Sequence, residues 1–194
     1  MGKAAFASLV ISKLKSAIGS NGSIYTADTP DKAQTAIAEA ITEYLIANTT
    51  ISISYSGTLT TGTGADPIIA DTMKITGVCD KIGKPENYAA WIKRIQTVIS
   101  SSFSVVSPGT DGVIVDFNPF NPTDGALQIP QADLTSIYQN NMDAPAQAVW
   151  EVICGKILDW LNSTTGKNPT ATVLPATRTG VSAGTASLVS ITIL

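Results

Sequence analysis

The chain has no histidine, and this absence restricts its chemistry more than any other feature of its 194 residues. Histidine is the usual general base of Ser-His-Asp and Cys-His catalysis and a common ligand of zinc. Its absence excludes those reactions and most zinc sites. We therefore expect no enzymatic activity, with no catalytic residue, no cofactor, no metal and no small-molecule substrate.

Charged residues are scarce as well, at 14% of the chain against about 25% in ordinary soluble domains. The 12 Lys and Arg are scattered and the net charge is −3, so the basic stripe that nucleic-acid binding requires is missing. We expect no direct nucleic-acid contact. Ser, Thr, Asn and Gly must cover the surface instead. Such a neutral surface loses little on desolvation, which favours contact with other protein; an extracellular or acidophilic setting is the alternative explanation.

Long apolar runs are also missing, and no stretch reaches the roughly 20 residues that a membrane span needs. The N-terminal stretch "MGKAAFASLVISKLKSAIGS" has the order of a signal peptide, a cation followed by apolar residues. Lys13 and Lys15 interrupt its apolar part, however, and the spacing is helical. We interpret it as a mature amphipathic helix and not as a removed leader.

There are only two cysteines, Cys79 and Cys154. Two are too few for a disulfide scaffold in a chain of this length, although a single disulfide between them stays open. Cys154 falls on the apolar face of a predicted helix, where a cysteine behaves as a small buried hydrophobe.

Three weak matches to functional motifs are present. Ser12 and Lys15 fit S-x-x-K, but its partner motifs are absent. Glu39 and Glu43 form a carboxylate pair, which we interpret as a solvated helix face that favours solubility. The stretch "DFNPFNPTDG", residues 116–125, gathers oxygen ligands suited to Ca²⁺, but its spacing is not that of an EF-hand and Asx-Pro and Asp-Gly are ordinary turn residues.

Hydrophobic periodicity predicts helices and strands in a definite order. Helices are expected over about 4–18, 28–50, 84–103, 130–141 and 143–165, with Asp28 or Thr29 and then Asp143 as N-caps. Alternation that begins at Ile51 predicts a strand before the loop at 61–67, and a second strand is predicted at 72–78; the two pair as a hairpin with a long connection, and a last strand is expected near 185–194.

These elements predict an α+β fold in which pairs of amphipathic helices pack on a small, mainly antiparallel sheet. Two related units are expected, 1–80 and 81–194, the second with a long inserted loop at about 104–130, together forming one compact domain. A shift of 116 residues superposes the apolar stripe Ala33, Ile37, Ile41, Tyr44 and Leu45 on Val149, Ile153, Ile157, Trp160 and Leu161. Internal duplication and chance similarity of amphipathic helices both explain this.

The C-terminal strand is predicted to be an unpaired edge that pairs with the sheet of a neighbouring subunit. Removal of residues 186–194 is then expected to leave a folded chain that no longer assembles. Trp150, at the edge of its helical stripe, and two aromatic residues of the long loop complete the predicted interface. Its six residues are Trp150, Phe117, Phe120, Val189, Ile191 and Ile193.

Low charge, absent histidine, short helices joined to Thr/Gly-rich strands and the closing "SLVSITIL" together resemble structural proteins of tailed bacteriophage virions. Minor tail, baseplate or neck components are the most similar. The resemblance is one of general character and rests on no specific motif. It implies a subunit located in the virion, which performs no reaction and packs symmetrically with copies of itself and with other virion structural proteins.

Two alternatives belong to other functional classes. One is a secreted or surface-exposed binding module, similar to an adhesin, that uses the 104–130 loop as its contact surface. The other is an enzyme that works with carboxylates alone. Retention of the isolated chain on a glycan favours the first, and a deep pocket with two facing carboxylates favours the second.

Overall fold

A computed structural model of the protein describes residues 2–19, 28–59, 69–82, 86–106, 118–120, 125–163, 166, 172–173 and 181–194. This part of the chain contains five helices and five strands. The helices are α1 (Gly2–Ile18), α2 (Thr29–Asn48), α3 (Tyr88–Ser102), α4 (Gln131–Asn140) and α5 (Pro145–Asn162). The strands are β1 (Thr49–Leu59), β2 (Ile69–Gly77), β3 (Phe103–Val106), β4 (Thr172–Val173) and β5 (Val181–Ile193).

The strands form one sheet in the order β3-β2-β1-β5-β4, and every described pairing is antiparallel. β1 and β2 pair from Thr50 opposite Lys74 to Tyr55 opposite Ile69, as the predicted hairpin with a long connection. The predicted α+β class, helices on a small and mainly antiparallel sheet, is confirmed.

The C-terminal strand is not the unpaired edge that the sequence suggested. β5 lies inside the sheet, between β1 and β4. It pairs with β1 from Ile193 opposite Thr49 to Val181 opposite Leu59. The backbone of β5 therefore pairs with that of β1, a strand that lies more than 120 residues earlier in the chain. The expectation of a free strand was therefore wrong, because sequence periodicity does not identify a strand's partner.

Proline lies in the first turn of two helices. Pro30 and Pro145 occupy the first turns of α2 and α5, where a missing N–H costs no hydrogen bond. Asp28 is the N-cap residue of α2, one of the two predicted for that position. Its side chain makes no capping bond, and its carboxylate lies 3.1 Å from Nζ of Lys32. At α5, Ala144 and not Asp143 is the N-cap residue.

α1 packs against both α2 and α5. The rings of Phe6 and Tyr44 stack with centroids 4.3 Å apart and planes 9° from parallel. Lys13 reaches from α1 to α2, with Nζ 2.9 Å from the Glu43 carboxylate and 3.8 Å from that of Glu39. This hydrogen bond with Glu43 raises the pKa of Lys13. The two glutamates, interpreted from the sequence as a solubility feature, thus also connect two helices.

The helices cover one face of the sheet, and the other face is hydroxyl-rich. Thr50, Thr76 and Thr192 are exposed, whereas alternate strand residues are buried among the helices. The buried set is Ile51, Ile75, Phe103, Val105, Ile191 and Ile193. The described residues therefore form two layers, a helical layer and a sheet, with the apolar core between them.

Both predicted units contribute to this core. β1 of the 1–80 segment and β5 of the 81–194 segment are neighbours in one sheet, and β2 pairs with β3 in the same way. A strand follows α2 directly, because Thr49 ends the helix with an extended backbone and begins β1. The internal duplication stays a prediction.

Candidate interaction surface

Asn87 fixes the first turn of α3 and the positions of its aromatic residues. Its Oδ1 accepts a hydrogen bond from the backbone N–H of Ala90 at 2.9 Å. Such an N-cap stabilises a helix by about 1 kcal/mol. Tyr88 and Trp91 follow at a spacing of three residues, which places them side by side on the helix surface.

Three partly buried aromatic side chains contact one another in sequence: Tyr88, Trp91 and Trp150. The centroids of Tyr88 and Trp91 are 6.0 Å apart, and those of Trp91 and Trp150 are 6.2 Å apart with planes at 74°. All three pack against the core while keeping part of their surface exposed. We call this set the aromatic row. It joins α3 to α5.

A third helix, α2, also contacts the aromatic row, at Trp91. The indole Nε1–H of Trp91 donates a hydrogen bond of 2.9 Å to Oε1 of Gln34 in α2. A tryptophan whose N–H is satisfied keeps a single orientation and presents its apolar surface at little cost in conformational entropy. This hydrogen bond therefore favours one orientation of the Trp91 ring at the middle of the aromatic row.

An apolar groove adjoins the aromatic row at Tyr88. It has a volume of about 450 Å³ and lies between α3 and the segment 125–131. Lys93 is the only charged residue among the described residues that line it. We call it the α3 groove, and its lining is Tyr88, Ala89, Ile92, Lys93, Gln96, Gly125, Leu127, Gln128, Ile129, Pro130 and Gln131.

Gln96 holds the two walls of the α3 groove together. Its side chain is 4% exposed, and its Oε1 accepts a hydrogen bond of 3.2 Å from the backbone N–H of Leu127. A buried backbone N–H without an acceptor is costly, so this bond fixes the position of the segment. Gly125, with φ of +75°, provides the left-handed turn at which the segment begins.

Tyr88, the titratable residue of the aromatic row, is suited to packing and not to proton transfer. Burial raises the pKa of Tyr88 to about 12, and its Oη has no hydrogen-bond partner in the described part of the chain. The phenol therefore stays neutral at physiological pH. Tyr88 contributes an apolar ring to the surface.

Neither cysteine has the properties of a nucleophile. Cys79 and Cys154 are free and buried. Burial raises the pKa of Cys79 to about 11 and also raises the pKa of Cys154. A reactive cysteine is accessible and has a lowered pKa, so both thiols act as small buried groups. The interpretation of Cys154 as a buried hydrophobe agrees with its 0% exposure.

A second surface carries exposed apolar side chains, at the turn between α4 and α5. Met142 is 75% exposed and Tyr138 is 53% exposed. The turn is held by its own hydrogen bonds: Nδ2 of Asn141 donates to the carbonyl of Ile137 at 2.7 Å, and Ala144 N–H donates to the carbonyl of Asn141 at 3.1 Å. We call residues 138–143 the α4–α5 turn.

The predicted interface residues whose side chains the structure describes do not lie on one common surface. Trp150 lies in the aromatic row, at the surface. Phe120 is fully buried: its ring meets that of Phe103 at a centroid distance of 5.8 Å, and its N–H donates to Oδ1 of Asn118. This corrects its assignment to an interface, because its ring is packed in the chain's own core. Phe117 lies outside the described residues.

The C-terminal residues also require correction. Ile191 and Ile193 are buried, 3% and 7% exposed, in the chain's own core. They are therefore unavailable to a partner. Val189 belongs to β5, at a register shift where Ser190 pairs with Ser52 and Leu188 with Ile53, and its side chain lies outside the described part of the molecule.

The sequence did not identify the partners of Trp150. Nothing local in the sequence connects Trp91 with a residue 59 positions later. The three-residue spacing of Tyr88 and Trp91 was the available signal for a shared helical face. Leu127, Ile129 and Pro130 fell within the long loop, where periodicity carries no information.

Of the residues that the Ca²⁺ alternative requires, the structure describes Asn118 and Gly125. Oδ1 of Asn118 already accepts a hydrogen bond within its own loop, and no group of three or more His, Cys, Asp or Glu side chains comes together among the described residues. Asp116, Asn121 and Asp124 lie outside them.

Comparisons with known proteins identify no relative: no family model, no curated protein and no solved structure matches the chain. Among the described residues, no helix has the length and apolarity needed to cross a membrane. The geometry of the aromatic row and the α3 groove is therefore the basis for a functional proposal.

Proposed function

We propose that this chain is a non-enzymatic structural subunit of a protein assembly, acting by association with copies of itself and with other structural proteins. The virion of a tailed bacteriophage, in its tail, baseplate or neck, is the assembly that the composition resembles. The observation that supports a binding role most directly is the aromatic row beside the α3 groove.

The composition of this surface is that of an interface core. In protein complexes, the residues whose replacement by alanine weakens binding by about 2 kcal/mol or more are enriched in Trp and Tyr. Here Tyr88, Trp91 and Trp150 keep part of their surface exposed next to apolar groove walls. Gln34 and Gln96 hold this surface in place. Association then orders few side chains, which reduces its entropic cost.

The helix that follows the wall of the α3 groove carries little charge. α4 contains a single charged residue, Asp133, among exposed Gln, Asn, Ser and Thr side chains. Charged residues are depleted in interface cores because their desolvation is costly. A subunit that buries much of its surface against other proteins benefits from this low charge.

Light scattering of the purified chain over about a hundredfold range of concentration tests the proposal. We expect a discrete oligomer or a polymer that grows with concentration. Trp150→Ala should weaken association by about tenfold or more, whereas Val78→Ala, at a residue that is 74% exposed outside the aromatic row, should leave it unchanged. Circular dichroism melting of both variants separates lost association from lost folding.

A strict monomer at every concentration contradicts self-association. Retention of that monomer on a glycan or cell surface then supports the adhesin-like module. In this case alanine variants of the aromatic row and substitutions at exposed residues of the 104–130 loop, such as Gln128, distinguish which surface binds.

A further inference from the structure

We propose that Tyr44 couples the position of α1 to that of Leu194, the residue that follows β5, so that release of Leu194 also releases α1. Such coupling is a property of the single chain and does not depend on the proposed association.

Tyr44, on α2, contacts α1 with its ring and Leu194 with its hydroxyl group. The ring stacks on that of Phe6, with centroids 4.3 Å apart and planes 9° from parallel. The Oη–H donates a hydrogen bond to the main-chain oxygen of Leu194. Tyr44 is 4% exposed and Phe6 is 0% exposed, so neither ring changes orientation without leaving space in the core. One buried side chain therefore connects α1 with the residue at the end of β5.

Leu194 is held by its main chain and not by its side chain. Its N–H donates a hydrogen bond of 3.1 Å to the carbonyl of Asn48, the last residue of α2. Its side chain is 72% exposed and buries little apolar surface. The hydrogen bonds with Asn48 and Tyr44 therefore fix its position, and loss of one such bond shifts an opening equilibrium by about fivefold.

Gly2, the first residue of α1, lies against the same two groups. A Cβ added there would lie 2.8 Å from Oη of Tyr44 and 2.9 Å from the main-chain carbon and oxygen of Leu194. These separations are shorter than van der Waals contact, so a larger residue displaces Tyr44 or Leu194. We call Gly2, Tyr44 and Leu194 the α1–Leu194 junction.

The other contacts of α1 are modest in number. Its ion pairs run from Lys13 to carboxylates of α2 that are more than half exposed, and pairs of this kind add little stability. An element with few buried residues opens at a lower free energy than the core. Loss of the junction should therefore open α1 before the rest of the chain unfolds. The buried residues of α1 are Phe6, Ala7 and Val10.

Two helical glycines give a test in which the expected results differ in sign, with hydrogen exchange of the full chain measured by NMR. Alanine is favoured over glycine in a helix. Gly155→Ala, whose Cβ would lie at an ordinary 3.5 Å from the Lys3 side chain, should leave exchange at the Val10 and Leu194 amides unchanged or slower. Gly2→Ala should accelerate exchange at both amides by about fivefold or more.

Tyr44→Phe tests the hydrogen bond by itself, because it keeps the ring that stacks on Phe6 and removes only the hydroxyl group. Exchange at the Leu194 amide should accelerate by about fivefold. Exchange at the Val10 amide, in α1, should accelerate as well, because release of Leu194 makes opening of α1 more frequent.

Two further variants are controls for Tyr44→Phe. Tyr138→Phe removes a hydroxyl group from a residue of α4 that is 53% exposed, and it should change neither exchange rate. Ile95→Val lowers the stability of the core at α3 and leaves the α1–Leu194 junction intact. It should not accelerate exchange at Val10.

Three outcomes overturn the proposal. The first is acceleration in Tyr44→Phe at Leu194 alone, with Val10 unchanged, since the two contacts are then independent. The second is a Gly2→Ala variant that behaves as Gly155→Ala does. The third is exchange at Val10 that matches global unfolding, measured in urea, in every variant. Gly2→Ala combined with Tyr44→Phe should accelerate Val10 by less than the product of the two single effects, because both substitutions act on one junction.

Discussion

Trp91 contacts Trp150 edge to face, with ring centroids 6.2 Å apart and planes at 74°. The contact joins the first turn of α3 to α5, between residues 59 positions apart. The hydrogen bond from Trp91 to Gln34 adds α2 to the same point. One partly exposed pair of rings therefore connects three helices, and this pair lies at the centre of the proposed interface.

We predict that the Trp91–Trp150 contact carries a coupling energy of about 0.5 to 1.5 kcal/mol, the usual value for an aromatic pair beyond its buried area. The measurement is a double-mutant cycle of urea unfolding with Trp91→Ala, Trp150→Ala and the double variant. A pair made of Trp91→Ala and Thr192→Ala, the latter exposed on the opposite face of the sheet, serves as control. Its effects should add within about 0.5 kcal/mol. Equal additivity in both cycles contradicts the prediction.

Ile191 and Thr192 provide a sharp comparison within one strand, because neighbouring residues of β5 face opposite sides of the sheet. Ile191→Ala should lower the free energy of unfolding by about 2 to 5 kcal/mol, since it leaves a cavity in the core. Thr192→Ala should change it by about 0.5 kcal/mol or less. Urea unfolding measures both.

Removal of residues 186–194 should prevent folding, because it takes away much of the partner strand of β1 along with Ile191 and Ile193. This reverses the expectation that the C-terminal strand serves assembly alone. Circular dichroism and heteronuclear NMR of the truncated chain check it. A cooperatively folded truncation shows that β5 is dispensable and restores the original interpretation.

The elements of the fold were predictable where the signal is local. Pro30 and Pro145 mark helix starts because proline fits a first turn, and the alternation at Ile51 indicates a strand because side chains point to alternate faces. The partner of β5 was not predictable, since pairing is a property of two distant segments. For the same reason Phe120 was assigned to an interface although Phe103 buries it.

The candidate surface was predicted only at Trp150. A residue at the edge of an apolar stripe is expected to be partly exposed, and Trp150 is. The α3 groove depends on a hydrogen bond between Gln96 and Leu127, 31 residues apart. The sequence does not distinguish a buried glutamine from an exposed one. The structural role of Gln96 is therefore visible only in three dimensions.

Gln96→Leu should loosen the wall of the α3 groove. The substitution removes the acceptor of the Leu127 N–H and leaves that buried donor unpaired, at a cost of about 1 to 3 kcal/mol. Hydrogen exchange at the Leu127 amide should accelerate, and the free energy of unfolding should fall. Gln128→Leu, at an exposed neighbour in the same groove, is the matched control and should leave this exchange rate unchanged. Unaltered exchange in Gln96→Leu contradicts the proposed role.

Cys79 should make the stability of the fold sensitive to alkaline pH. Burial raises the pKa of its thiol from an ordinary value of 9.0 to about 11, so the folded chain holds a proton that the unfolded chain releases first. The stabilising effect is complete below pH 9 and declines as the pH rises towards 11, because the unfolded state alone gains from ionisation in that interval. The total loss is on the order of 3 kcal/mol.

The comparison of wild type with Cys79→Ser isolates this effect, because a serine hydroxyl does not ionise in the same range and the remaining tyrosines, lysines and Cys154 are shared. Serine also retains a small polar group next to Thr42, whose Oγ1 accepts the backbone N–H of residue 79 at 2.8 Å. Urea unfolding at a series of pH values should show the wild type losing stability more steeply than Cys79→Ser above pH 9. Parallel curves show that the thiol is more accessible in the folded chain than its burial indicates.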